Sequence, residues 1–126
     1  MVVILALAAF FLARLIIAPL ISVFYKKPRP YQVLKFDPIQ SIFFTFQTKK
    51  PNSFPSGHAT SLAAICTVYF YFFPSWGPAL IIVLFINGMG RIILGYHYII
   101  DILIGWTIGI ISGFAVIYWL TPILVK

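Results

Sequence analysis

The sequence predicts an all-α integral membrane helix bundle of about four transmembrane helices with an interfacial loop or helix, and three observations predict it. Of the 126 residues, 62% are hydrophobic, only 9% are charged and mean hydropathy is +1.04, far from the roughly quarter-charged make-up of a soluble domain. Four apolar stretches approach the about 17 to 25 residues that carry a helix across the hydrocarbon core. The polar residues gather instead in one long connection and at the ends of these stretches.

The stretches cover residues 2–23, 58–73, 79–94 and 97–120. No basic segment precedes the first, it is too long for a signal-peptide core, and no small-residue cleavage site follows, so it reads as a retained span. Residues 25–55 form the long connection. Within it Ile39, Ile42, Phe43, Phe44 and Phe46 interleave with Gln40, Ser41, Thr45 and Gln47, a pattern that suits a short helix in the interface plane, as a lid or entry sill for a lipid. The second and third spans form a hairpin through the short turn at residues 74–78, where Trp76 marks the opposite interface. Gly95 supplies the left-handed residue that ends the third span. With four spans in so short a chain, residues 1–126 make one membrane-embedded domain. Cys66 is the only cysteine; it lies inside a span, has no partner for a disulfide, and reads as packing.

The net charge of +7 does not point to nucleic acid, because no reader motif accompanies it. Six of the nine cations, Lys26, Lys27, Arg29, Lys35, Lys49 and Lys50, lie in the long connection. Cations gathered at one interface of a membrane protein meet membrane lipids and phosphates.

The up-and-down topology then brings Arg29, His58, Arg91, His97 and Asp101 to one face. Asp101 follows His97 by four residues, so a helix beginning at His97 would stack the two side chains and let the carboxylate fix the imidazole tautomer. An ordinary helix-end pair is the plain reading of the same spacing. Pro55-Ser56-Gly57-His58 precedes an apolar run, which makes Ser56 an N-cap and leaves the first amides of the helix free to hold a phosphate, with Gly57 permitting close approach. His58 beside that anion could protonate a leaving oxygen; the plain alternative is a capped helix start with an incidental histidine. Each arginine alone reads as an interface snorkeler. Together the groups favour phosphate chemistry, since guanidinium forks match phosphoryl oxygens.

These residues resemble the type-2 phosphatidic acid phosphatase family, whose motifs are Lys-x6-Arg-Pro, Pro-Ser-Gly-His and Ser-Arg-x5-His-x3-Asp. Here they stand as Arg29-Pro30, Pro55-Ser56-Gly57-His58 and Arg91-x5-His97-x3-Asp101. The resemblance implies a lipid-phosphate hydrolase in which His97 is the nucleophile and forms a phosphohistidine. Asp101 would orient His97, His58 would protonate the leaving group, and Arg29, Arg91, Ser56 and the Gly57 amide would hold the phosphate. It implies no metal and no other cofactor. Polyprenyl diphosphate such as undecaprenyl diphosphate, phosphatidic acid and phosphatidylglycerol phosphate all fit as the lipid substrate. Three departures stand out. Ser22 occupies the family's lysine position, so Lys26 or Lys27 is the expected substitute. Gly90 replaces the serine before Arg91. The family's membrane enzymes resemble six-span bundles, of which this chain offers the last four.

A phosphotransferase using the same site, or a non-catalytic membrane protein binding anionic lipid, is the competing reading. A metal hydrolase built on His58, His97 and Asp101 is disfavoured by two arginines that repel a dication. Arg14, near the middle of the first span, has no acid at matching depth in the sequence; it reads as a snorkeler, as facing a cavity or, by slight preference, as paired with something outside the sequence. Gly105, Gly109 and Gly113 form a small-residue strip that serves packing within the bundle or a homo-oligomer. Cation placement argues for a cytoplasmic site, whereas the resemblance implies an extracytoplasmic one on a multi-pass cell-membrane protein.

Overall fold

A computed structural model describes residues 1–35 and 52–125, and the regular structure among these is all helical. The expected interfacial helix within residues 39–47, and Lys49 and Lys50, lie outside the described residues.

The first membrane helix, Val2–Phe24, comprises α1 (Val2–Phe11), a π-helical segment (Leu12–Ile17) and α2 (Ala18–Phe24). Pro19 explains the widened segment: its ring would clash with the Leu15 carbonyl and it has no N–H to donate. α3 (Pro30–Leu34) is a single short turn of helix after it. α4 (Gly57–Phe72) is followed by a 3₁₀ turn at Pro74–Trp76, α5 (Gly77–Ile93) and α6 (Ile99–Leu124). Among the described residues, three helices are long and apolar enough to cross a membrane: Val2–Phe24, Pro74–Ile93 and Ile99–Leu124. α4 falls short of that length with 16 residues, about 24 Å at 1.5 Å per residue. It differs from the others in being enclosed by them.

Leu5, Ala6, Ala9 and Ala13 of the first helix pack with Ala64 and Val68 of α4 and with Val116 and Ile117 of α6 as one buried core. α4 therefore lies between the first helix and α6. The glycine strip decides how closely α6 approaches. A Cβ at Gly105 would come within 2.9 Å of the Ser56 carbonyl oxygen, and one at Gly109 within 2.7 Å of Ala63 Cβ and 2.8 Å of the Ala64 amide nitrogen. Gly113 fits against Thr67 in the same way. The strip is thus used in packing within the bundle, the preferred of the two readings that the sequence allows for Gly105, Gly109 and Gly113. Small residues serve this end because lipid provides no hydrophobic drive between helices and close van der Waals contact must supply it. The hydroxyls on these faces are satisfied locally: Thr60, Thr67 and Ser112 donate to the carbonyls of Ser56, Ala63 and Ile108 at 2.8–2.9 Å. Outward faces, such as Ile82, Phe85, Ile86 and Ile93 of α5 and Ile111 and Phe114 of α6, stay exposed and apolar, as lipid contact requires.

Candidate active site

Three connections meet at the N-terminus of α4. The first is the turn after α5. Gly95 has φ 73°, as expected of a left-handed terminator, and Gly95 N–H donates to Ile92 O while Tyr96 N–H donates to Arg91 O at 2.9 and 3.1 Å. That is the paired bonding of a Schellman ending. His97 N–H also donates to Arg91 O, at 3.3 Å, so the helix ending itself ties His97 to Arg91. Both side chains are buried.

The second is the stretch from the first helix into α3. Arg29 N–H donates to Gln32 Oε1 at 2.9 Å, Arg29 Nη1 donates to Tyr96 O at 3.4 Å, and Tyr31 N–H donates to Gly95 O at 3.1 Å. These bonds clamp α3 against the turn that carries His97. Burial lowers the Arg29 pKa from its ordinary value.

Asn52, which sequence reasoning missed, organises the third connection. Its amide nitrogen donates to the carbonyls of Ser22 and Tyr25, each at 3.1 Å, while its oxygen accepts from the N–H groups of Lys27 and Phe54. Ser53 N–H then donates to Lys27 O at 2.8 Å. The only sequence signal was an amide residue after a proline in a connection, which many loops have. Its consequence is that the Ser53 carbonyl is held still, 2.7 Å from His97 Nδ1.

That contact corrects one expectation. Asp101 does not hold the imidazole. His97 lies outside α6, whose N-cap is Tyr98, so the two residues do not stack as helix neighbours. Asp101, fully buried, accepts from Lys27 Nζ and from Tyr98 N–H, both at 2.9 Å. The carboxylate thus caps α6, where its charge also suits the helix dipole, and Lys27 neutralises it while lying 4.1 Å over the Tyr98 ring. Lys27 is accordingly committed to Asp101. Lys26 instead lines a cavity of about 370 Å³ with Ser22, Lys27, Pro28, Gln32 and Asn52.

With Nδ1 donating to a carbonyl, His97 presents Nε2 as a lone-pair nitrogen, and Nε2 makes no hydrogen bond among the described residues. Burial first, then the Arg29 charge, lowers the His97 pKa to about 4, so the ring is neutral near pH 7. Ser56 stands at the N-cap position of α4 as expected, but its side chain makes no capping bond. Its hydroxyl is fully buried and has no partner among the described residues. His58 lies within electrostatic reach of Arg91, Arg14, His97 and Arg29. For Arg14 a partner outside the chain is the slightly preferred of three expectations. Its guanidinium turns instead onto Gly57, where a Cβ would come within 2.7 Å of Cζ.

The described residues therefore assemble a neutral imidazole, a second histidine, three arginines and a helix terminus without a side-chain cap. Such a set can bind a phosphoryl group and offer it a nitrogen nucleophile. No group of three or more metal-ligating side chains is placed to hold a metal among the described residues.

A family model described as the PAP2 superfamily matches residues 1–123. Among curated proteins the chain is similar to Undecaprenyl-diphosphatase BcrC of Bacillus subtilis (strain 168), with 33% identity over 107 residues. The match covers 82% of this chain and 50% of the relative, so the chain spans about half the relative's length. No solved structure matches.

Proposed function

The chain belongs to the PAP2 superfamily, and from that premise we propose that it hydrolyses a lipid phosphate or diphosphate through a phosphohistidine, without a metal. The observation that carries the reading is the His97 ring, held through Nδ1 by the Ser53 carbonyl with Nε2 left as a lone pair. Its setting among Arg29, Arg91 and the α4 terminus supports it.

In this reading Arg29, Arg91, the Ser56 hydroxyl and the Gly57 amide bind the phosphoryl oxygens and stabilise the charge that shifts onto them. His97 Nε2 attacks phosphorus as the bond to the lipid oxygen breaks. His58, as imidazolium, gives its proton to that departing oxygen; the adjacent anion favours the charged ring. Water then attacks phosphorus as the P–Nε2 bond breaks and returns its electron pair to His97, neutral His58 accepts the water's proton, and inorganic phosphate leaves. Lys27 and Asp101 position rather than react, since each is the other's partner.

The similarity to an undecaprenyl-diphosphatase supports a polyprenyl diphosphate as the first substrate to try, ahead of phosphatidic acid and phosphatidylglycerol phosphate. The site faces the extracytoplasmic side in this reading, as the family resemblance implies. The test is phosphate release from a prenyl diphosphate and from phosphatidic acid by the purified chain in detergent, with chelator present, beside His97→Ala. Release that persists in chelator and vanishes in the variant supports the proposal; equal release by both proteins, or loss on chelation, overturns it.

A further inference from the structure

Resting on that reading, we propose that Arg14 is a phosphate-binding residue of this site and closes its membrane-facing side. Arg14 lies in the π-helical segment of the first helix, ten residues before that helix ends at Phe24. Ten residues of helix are about 15 Å, so Arg14 approaches from inside the membrane, whereas Arg29 and His97 come from connections at its edge. A cation at that depth is costly unless something negative meets it. Among the described residues Arg14 has no hydrogen bond and no ion pair. Asp101, the only acid described, is engaged by Lys27 and Tyr98.

The guanidinium is nonetheless aimed. It packs on Gly57, the first residue of α4, at the one position on that turn with no side chain to exclude it. Beside it are the buried Ser56 hydroxyl, without a partner among the described residues, the His58 ring and the Arg91 charge, each within electrostatic reach of Arg14. The Arg14 and Arg91 guanidinium groups and an unbonded hydroxyl at a helix N-terminus suit an anion with several acceptor oxygens, and a phosphoryl group is such an anion. π-helical segments often mark functional sites, and here the widened turn sets the direction of Arg14. The assignment also fits the commitment of Lys27 to Asp101, which leaves a further cation for the phosphate to come from the first helix.

The experiment compares the parent with Arg14→Gln, Arg14→Lys and Arg29→Gln in detergent. It reads inhibition by inorganic phosphate, KM and kcat for a lipid phosphate, and the melting temperature. Arg14→Gln is expected to weaken both inorganic phosphate and the lipid substrate by roughly 10- to 100-fold, the range of a lost charge-assisted bond. Arg14→Lys recovers part of this, because a point charge cannot fork. The melting temperature of Arg14→Gln stays level or rises, since a charge without a protein partner has been removed. Loss confined to the lipid substrate would mean that Arg14 meets the lipid rather than phosphate, and overturns the assignment. So would phosphate inhibition within about twofold of the parent while Arg29→Gln abolishes it, or a fall in melting temperature with KM unchanged. A parent that neither binds phosphate nor turns over lipid phosphate overturns the proposed function along with it.

Discussion

His97 Nδ1 lies 2.7 Å from the carbonyl oxygen of Ser53, and this backbone contact, rather than a carboxylate, holds the imidazole. Because burial and the Arg29 charge lower the His97 pKa to about 4 from 6.5 in an unfolded chain, the unfolded state binds more protons between those values. Stability is therefore full above about pH 6.5 and falls as pH drops toward 4, by up to about 3 kcal/mol at roughly 1.4 kcal/mol per unit. Thermal melts in detergent should show the parent losing more stability than His97→Asn across that window. Parallel curves would remove the buried neutral imidazole from the account.

Lys27 and Asp101 predict a stability effect without a matching loss of phosphate binding. Lys27→Met leaves a fully buried carboxylate with only the Tyr98 N–H, at a cost of about 1.5–3 kcal/mol. Asp101→Asn retains an acceptor for Tyr98 N–H and should cost less. Melting temperatures order the two, and a Lys27→Met protein that melts like the parent would place the lysine elsewhere.

Asn52→Ala removes four hydrogen bonds, three that tie residues 22–27 to the loop before α4 and one within that loop. Releasing the Ser53 carbonyl should lower kcat, with a smaller change in KM, because His97 loses its fixed orientation while the arginines stay clamped. A KM effect alone would contradict this.

Two glycines predict opposite signs. A Cβ at Gly109 would strike α4 backbone, which cannot swing aside, so Gly109→Ala should destabilise by about 1–3 kcal/mol. Gly90, in the interior of α5, has nothing within 4 Å of its would-be Cβ. There alanine should stabilise by about 0.5–1 kcal/mol. Parallel melts of the two variants read the contrast.

The spacing of Pro55-Ser56-Gly57-His58 and of Arg91, His97 and Asp101 is local and motif-borne, so the neighbourhood of the site was legible before any coordinates. What each group bonds to was not. The spacing of His97 and Asp101 suggests helix neighbours only if the helix begins at His97, and it begins two residues later. Arg14 gave no sign of its direction, because the rotation of a helix is set by what packs on it, and here also by the widening before Pro19.

The sequence by itself determined the solvent, the helical class and the order of the site residues, because apolar length and glycine turns act within one segment. Only the tertiary structure decided that Lys27 meets Asp101, that Ser53 holds His97, that Arg14 turns onto Gly57 and that the glycine strip faces α4. Each joins residues far apart in the chain, and the physical reason is that pairing and burial depend on which helix faces meet. No single segment carries that information.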